Sequence, residues 1–469
     1  MNDVLEETDS SIWEDIKASL AGNDLDFTSG SIGRAILILS VPMVLEMMME
    51  SVFAVVDIFF VSKLGANAVA AVGITESLLT IVYAIGIGFS MATTAIVSRR
   101  TGEKDADSAA RAAVQSIIVG FLASFPIALT GILFAPELLS LMGAEAEIVE
   151  DLYSYTAIML GGNVVIMLLF VINSIFRGVG DAAISMRVLW LANGFNIIFD
   201  PILIFGLGPF PELGITGAAI ATTTGRGLAV VYQFYKLFED HGRIRLLKKH
   251  LVIQLDIIKK LVRVSLGGIG QFLIATSSWI GLVRIIAEFG SIALAGYTIG
   301  IRIFIFSILP SWGMSNAAAT LVGQNLGAKK PDRAEKSTWI TAGINMLFLG
   351  LVGIIFIIYA EQAILLFTNE AAVVDVGAQC LRIISYGYLA YAFGMVIIQA
   401  FNGSGDTVTP TMINFFCFWV LEIPLAYFLA ITLGWNEEGV FYSIIIAESV
   451  LAVIGFILFK RGNWKTTEV

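Results

Sequence analysis

Phe176-Arg177-Gly178-Val179-Gly180-Asp181 returns as Phe401-Asn402-Gly403-Ser404-Gly405-Asp406, 225 residues further on (401 − 176). The same shift carries Gly102, Lys104 and Asp107 onto Gly327, Lys329 and Asp332, and Gly88 and Ser90 onto Gly313 and Ser315. It also carries Ser40 and Gly65 onto Ser265 and Gly290, and Gly214 onto Gly439. One gap-free offset running through most of each half marks a duplication, not chance matching among 45 glycines.

What is duplicated is hydrophobic. Apolar runs lie near 35–62, 68–98, 109–134, 148–173, 182–206 and 215–238, then near 257–288, 293–322, 334–360, 373–400, 408–433 and 438–460. Each exceeds the ~20 residues that a helix needs to cross a bilayer. The chain is 57% hydrophobic and 14% charged, with a mean hydropathy of +0.85. Ordinary soluble domains carry about 25% charged residues. The offset lays the first run on the seventh, so the halves have the same orientation, related by an axis along the membrane normal. The expectation is an all-α polytopic membrane protein, with twelve transmembrane helices in two six-helix pseudo-symmetric lobes around a central cavity. The N-lobe spans 34–238 and the C-lobe 257–460. An inter-lobe loop (239–256) and tails at 1–33 and 461–469 complete the chain, with a short surface helix around Ile12 to Leu20 in the first tail.

Loop charge alternates. Arg99, Arg100 and Lys104 follow the second run, Arg177 and Arg187 the fourth, and Arg243, Arg245, Lys248, Lys249, Lys259 and Lys260 the sixth. Lys329, Lys330, Arg333 and Lys336 follow the eighth, and Lys460, Arg461 and Lys465 the twelfth. Residues 135–147, 207–214, 361–375 and 434–438 contain no Lys or Arg. Basic loops stay cytoplasmic, so both termini are expected inside a cell (plasma) membrane. The net charge of −10 is spread over termini and loops, and no basic patch of the size nucleic acid requires is present. Cys380 and Cys417 give no metal spacing, and His241 and His250 lie in one polar loop.

Duplication lets each intramembrane polar residue be read against its partner position. Asp57 corresponds to Leu282, Asn173 to Ile398, Asn196 to Leu421 and Asp200 to Leu425; Glu46 and Glu50 correspond to Gln271 and Ala275. The N-terminal half is polar where the other is apolar. On a helical wheel Glu46, Glu50 and Asp57 fall within about 40° of one another. Carboxylates inside the bilayer face the bundle interior and mark ion or proton paths. Away from water, Asp57 and Asp200 either share a proton or hold a cation between them. Asn173, Asn196 and the Thr222 hydroxyl would add oxygen ligands, with Asp57, Asn196, Asp200 and Thr222 as the set for Na+. These residues leave H+ and Na+ both open. Pro42, which removes a helix hydrogen bond fifteen residues before Asp57 (57 − 42), is the expected bend.

The chain resembles the multidrug and toxic compound extrusion (MATE) transporters, in particular their archaeal and DNA-damage-inducible-like branch. The resemblance rests on Ser40-Val41-Pro42, Val56-Asp57 with Gly65, Phe176-Arg177-Gly178 through Gly180-Asp181, Asn196 to Asp200-Pro201, and Gly214-Ile215 through Thr222. It implies cation-coupled (H+ or Na+) multidrug efflux by alternating access, with small organic, often cationic substrates, no cofactor beyond the coupling ion, and membrane lipids as surroundings. A monomer is expected. It also implies an N-lobe ion site at Asp57, Asn173, Asn196, Asp200 and Thr222, with Pro42 as the bending proline. Two departures stand out. Glu50 occupies a position where a neutral amide is expected, and Ala275 sits near the place of an acidic residue that the sodium-driven branch carries in its seventh span.

Three rivals are weighed. A flippase or exporter of one lipid-linked precursor or metabolite should line its cavity with several cationic residues, and the sequence offers few. An intramembrane enzyme would need a catalytic set, yet no histidine lies in a span and neither cysteine has a histidine partner. A channel is the third rival, and the 6+6 duplication favours alternating access over it.

Overall fold

The computed structural model describes residues 12–22, 25–240 and 242–469. His241 and the start of the first tail lie outside the described residues, which contain helices and no strand. A surface helix α1 (Ile12–Ala21) covers the predicted short segment. The N-lobe is built from α2 (Ile32–Ser62), α3 (Ala66–Gly102), α4 (Ala106–Leu133), the short α5 (Ala135–Leu141), α6 (Ala146–Gly161), α7 (Asn163–Val179), α8 (Ala182–Phe205) and α9 (Gly214–Phe238). The C-lobe holds α10 (Leu255–Ala287), α11 (Ser291–Gly327), α12 (Pro331–Leu365), α13 (Ala371–Tyr386), α14 (Tyr388–Ser404), α15 (Val408–Thr432) and α16 (Asn436–Arg461).

Helix is the form that satisfies every backbone group inside hydrocarbon, so apolar runs of this length fold as helices. Among the described residues nine spans are individually long and apolar enough to cross a membrane, and α13 with α14 supplies a tenth in two pieces meeting at 58°. The remaining two, α2 and α9, carry Glu46, Glu50 and Asp57, and Arg226. Twelve spans therefore form two six-span lobes.

The 225-residue offset holds in three dimensions. It maps α3 onto α11, α6 onto α13 and α7 onto α14, end to end. It also maps left-handed backbone onto left-handed backbone: Gly65 (φ 101°) and Gly290 (94°), Lys104 (60°) and Lys329 (58°), Gly180 (88°) and Gly405 (90°). Two features depart from the sequence expectation. Spans four and ten are each interrupted, at Gly162 and Gly387, where a side chain would meet Thr223 and Ile445 of the neighbouring helix. Hydropathy cannot register a one-residue break inside an apolar run. The other departure is Arg177, which belongs to the last turn of α7 and is buried, not a loop residue.

The lobes close on each other at the end that carries both tails. Gly102 lies against the backbone of Gln324, and Gly327 against that of Arg99, each so close that a Cβ would collide with a carbonyl oxygen. Deeper in, a Cβ on Gly88 would stand 2.7 Å from the Ser265 carbonyl oxygen, and one on Gly313 would stand 2.5 Å from that of Met43. Under the same offset Gly102–Gln324 exchanges with Gly327–Arg99, and the contact of Gly88 with Ile269 exchanges with that of Gly313 with Val44, so the seam is pseudo-twofold. Inter-lobe hydrogen bonds reinforce this end: Gln324 Nε2 donates to the Gly178 carbonyl (2.8 Å), Thr320 Oγ1 to that of Arg177 (3.2 Å) and Arg99 Nη2 to that of Ser404 (3.2 Å). Lys330 Nζ reaches the Thr28 carbonyl (2.7 Å), tying the first tail to the C-lobe. Glycine supplies this approach because small residues let membrane helices touch backbone to backbone. Gly102→Val is therefore expected to wedge this end open while each lobe stays folded, since overpacking costs about 1–3 kcal/mol or more at one contact. Spin labels placed on the exposed Lys104 and Lys329 should separate by several ångströms relative to the parent chain; an unchanged distance would argue against the seam.

Candidate functional site

The intramembrane polar residues of the N-lobe sort into three layers. Nearest the closed end, α2 meets α7. Arg177 Nη1 donates to Glu46 Oε1 at 3.1 Å and Arg177 Nη2 to Ser90 Oγ at 3.1 Å. Asn173 Nδ2 approaches the same Glu46 oxygen at 3.5 Å, and its own Oδ1 accepts from Gln233 Nε2 at 2.8 Å. Both members of the ion pair are buried. In the C-lobe the equivalent positions are Gln271 and Asn402 (46 + 225 and 177 + 225), and they exchange two amide hydrogen bonds of 2.9 and 3.1 Å. The same joint is ionic in one lobe and neutral in the other.

One layer further along, Asn193 Nδ2 donates to Glu50 Oε2 at 3.1 Å. Arg226 of α9 sits beside this pair. Its guanidinium lies near the Tyr83 hydroxyl and 5.8 Å from the Phe53 ring centre. Its charge acts on Glu50, Glu76 and Asp57.

The third layer joins α8 to α9. Asn196 Nδ2 donates to Asp200 Oδ1 (3.2 Å) and to Thr222 Oγ1 (2.7 Å). Asn196, Asp200 and Thr222 are all buried, and Asp200 has no exposed surface at all. Asn196 Oδ1 and Asp200 Oδ2 are buried without any hydrogen-bond donor. The Asp57 carboxylate approaches from α2, partly exposed, and acts on Asp200 through its charge with no hydrogen bond between them among the described residues. Of the six residues expected at one site, Asn196, Asp200 and Thr222 are joined by hydrogen bonds, and Asp57 is near enough for its charge to act on Asp200. Glu50 and Asn173 belong to the other two layers. α2 runs as one helix through Pro42.

A buried acceptor oxygen without a donor costs about 1–3 kcal/mol, more when charged. Asn196 Oδ1 and Asp200 Oδ2 therefore suit a proton on the carboxylate, or a hard monovalent cation taking amide, hydroxyl and carboxylate oxygens. Among the described residues no group of three or more His, Cys, Asp or Glu stands together, so a divalent transition metal finds no ligand set.

Between the lobes lie two adjoining chambers that share Ile87, Met91, Leu309, Trp312 and Gln399 as a common wall. The N-lobe chamber has a volume of about 210 Å³, and its polar lining includes Glu46, Glu50, Asn173, Arg177, Asn193 and Arg226. Glu50 and Arg226 thus face the chamber, in the layer next to that of Asn196, Asp200 and Thr222. The C-lobe chamber has about 470 Å³ and is largely apolar and aromatic.

The family model described as MatE matches residues 42–202 and 269–428, one segment in each lobe. The chain belongs to the MatE family. It is a multi-pass membrane transporter and not an enzyme. Among MatE relatives it is similar to the probable multidrug resistance protein YoeA of Bacillus subtilis, with 24% identity over 445 residues that cover 94% of this chain and 96% of that one. It is also similar to the FAD transporter of Shewanella oneidensis, with 27% identity over 402 residues that cover 85% and 88%. The solved structure of an outward-facing MATE multidrug resistance transporter of the MOP superfamily matches with a TM-score of 0.88 and 27% identity, covering 94% of this chain and 98% of that one.

Sequence reading missed two cavity residues of this MatE chain. Arg177 lies just past the run ending at 173, and its place inside a repeat that has Asn402 in the other half was the available signal. Arg226 is the lone basic residue in the middle of the sixth run, the kind of intramembrane charge that marks function by default.

Proposed function

We propose that this chain is a secondary antiporter that exports small organic cations in exchange for H+ or Na+, with the coupling ion held in the N-lobe by Asp57, Asn196, Asp200 and Thr222. The observation that carries this reading is the pair of buried acceptor oxygens, Asn196 Oδ1 and Asp200 Oδ2, that find no donor while a second carboxylate acts on them. Loading an ion there lowers the net negative charge between α2 and α8. Arg226 relays the change, because its charge reaches Asp57 on one side and Glu50 in the chamber on the other. Asn173 and Glu50 then serve as chamber residues coupled to the ion pocket, not as its ligands.

Alternating access follows from the seam. With both termini cytoplasmic, as the basic loops favour, the glycine-lined closure lies inside and this conformation faces outward. Pro42 leaves the Ile38 carbonyl without its helical donor, so α2 bends there when the ion leaves. The working unit is one chain in the cell membrane, since each lobe supplies one side of the cavity.

The test uses proteoliposomes loaded with a fluorescent cationic dye. A proton gradient or a sodium gradient, imposed separately, should drive dye movement in the parent chain, and Asp57→Asn should abolish it. Dye that moves under neither gradient would remove the main support for antiport. A second reading, export of one anionic metabolite, is favoured by Arg177 and Arg226 in the chamber wall. Each guanidinium is offset by a glutamate, Glu46 or Glu50, which leaves the chamber without net positive charge. Uptake of labelled FAD in the same vesicles distinguishes this reading, and none is expected.

A further inference from the structure

The C-lobe has an acidic pair of its own, away from the ion pocket. Glu448 of α16 lines the larger chamber, and Glu422 of α15 stands behind it, close enough for the two charges to act on each other. Both are buried, Glu448 with 9% and Glu422 with 2% of its surface exposed. Asn414, 8% exposed, also faces the chamber. Its Oδ1 and Glu422 Oε2 are buried without a hydrogen-bond donor, and among the described residues no basic side chain pairs with either glutamate.

The pair lies one step away from the mirror image of the N-lobe pocket. Under the offset, Asn196 and Thr222 map to Leu421 and Ala447, the residues immediately before Glu422 and Glu448. α15 is wound as a π-helix over Phe415–Glu422, whereas α8 is α-helical. The wider turn changes the register of side chains around the helix, a feature frequent at functional sites. The surroundings differ as well. In place of amide and hydroxyl ligands, Glu448 shares its chamber with Phe272, Trp279, Tyr391 and Phe418.

We infer that Glu448, with Asn414 beside it and Glu422 behind, binds the charged centre of a lipophilic organic cation whose aromatic or alkyl body fills the C-lobe chamber. Size supports this division of labour. Sites for drug-sized ligands run to roughly 300–1,000 Å³; the C-lobe chamber has about 470 Å³ and the N-lobe chamber about 210 Å³. The chemistry supports it too, since a carboxylate framed by aromatic faces offers both ion pairing and cation–π contact to a poorly hydrated cation. A small hydrated ion would gain little from those rings. Ala275 lines the same chamber, so its acidity comes from α15 and α16 instead of α10.

The inference rests on reading the chain as an exporter of organic cations, and its test separates the two. Purified full-length protein in nanodiscs is titrated with methyltriphenylphosphonium, which cannot lose its charge, and with triphenylphosphine oxide, a neutral molecule bearing the same rings. Trp279 and Trp312 fluorescence reports binding. Glu448→Gln should weaken the cation at least about tenfold, the size of one lost charge-assisted contact, and leave the neutral compound within about twofold. Glu448→Asp, which keeps the charge, should restore part of the loss. Equal loss of both compounds, or cation binding unchanged in Glu448→Gln, would overturn the inference. If the cation binds through Glu448 but no gradient moves it, the coupling reading fails and this one stands. If a gradient moves it and Glu448→Gln binds it as the parent chain does, this one fails alone.

Discussion

Asp200→Asn is expected to abolish gradient-driven exchange while leaving the chain folded and slightly more stable. Asp200 is fully buried, one of its oxygens has no donor, and its nearest charged neighbour carries the same sign. An isosteric amide keeps the bond from Asn196 and removes the unpaired carboxylate, whose burial costs about 1–3 kcal/mol. What is lost is the ion. The ion and a cationic cargo exchange charge for charge, so the drive is the ion's own concentration gradient: a tenfold gradient, ~1.4 kcal/mol, sustains roughly a tenfold cargo ratio, which the variant should not build. A thermal melt beside a dye-accumulation assay checks both halves. Opposite movement of stability and transport is the signature; a parallel fall in both would mean that Asp200 is a structural contact.

The other large effect belongs to Arg177. Arg177→Asn should cost about 3–5 kcal/mol of stability, because it leaves Glu46 buried with its charge uncompensated. Adding Glu46→Gln should recover most of that loss. The C-lobe supplies the precedent, since Gln271 and Asn402 occupy the equivalent positions and satisfy each other by two hydrogen bonds. The double variant thus copies one lobe's joint into the other. Denaturation of the parent, the two single variants and the double variant, compared as a cycle, gives the coupling energy. A double variant no more stable than Arg177→Asn alone would mean that the lobes are not equivalent at this joint.

The spans, their number and the duplication were legible because the bilayer leaves so little choice: a run of twenty apolar residues has one stable form there. The offset was equally plain, since Gly65, Gly180 and their partners need left-handed backbone that the repeat must keep. Arrangement along a helix was less visible. A helical wheel puts Glu46, Glu50 and Asp57 on one face, but eleven residues of helix (57 − 46) rise roughly 16 Å. The three carboxylates therefore meet different partners, with Glu46 on Arg177 of α7, Glu50 on Asn193 of α8 and Asp57 opposite Asp200 further along α8. Asn173 left the expected ion set for the same reason, since it shares a layer with Glu46 and Gln233. The acidity of the C-lobe was hidden by the comparison that exposed the N-lobe: Glu422 and Glu448 are offset by one residue from the positions being compared, across a π-helical stretch that no periodicity announces.

The proposed coupling needs an ion bound between α2 and α8 and at no other site. Charge displacement on a solid-supported membrane, recorded after a proton jump and a sodium jump with no organic substrate present, tests it most directly. The parent chain should give a binding transient for one of the two ions, and Asp57→Asn and Asp200→Asn should give none. A transient of full size in Asp200→Asn would place the coupling ion elsewhere in the molecule.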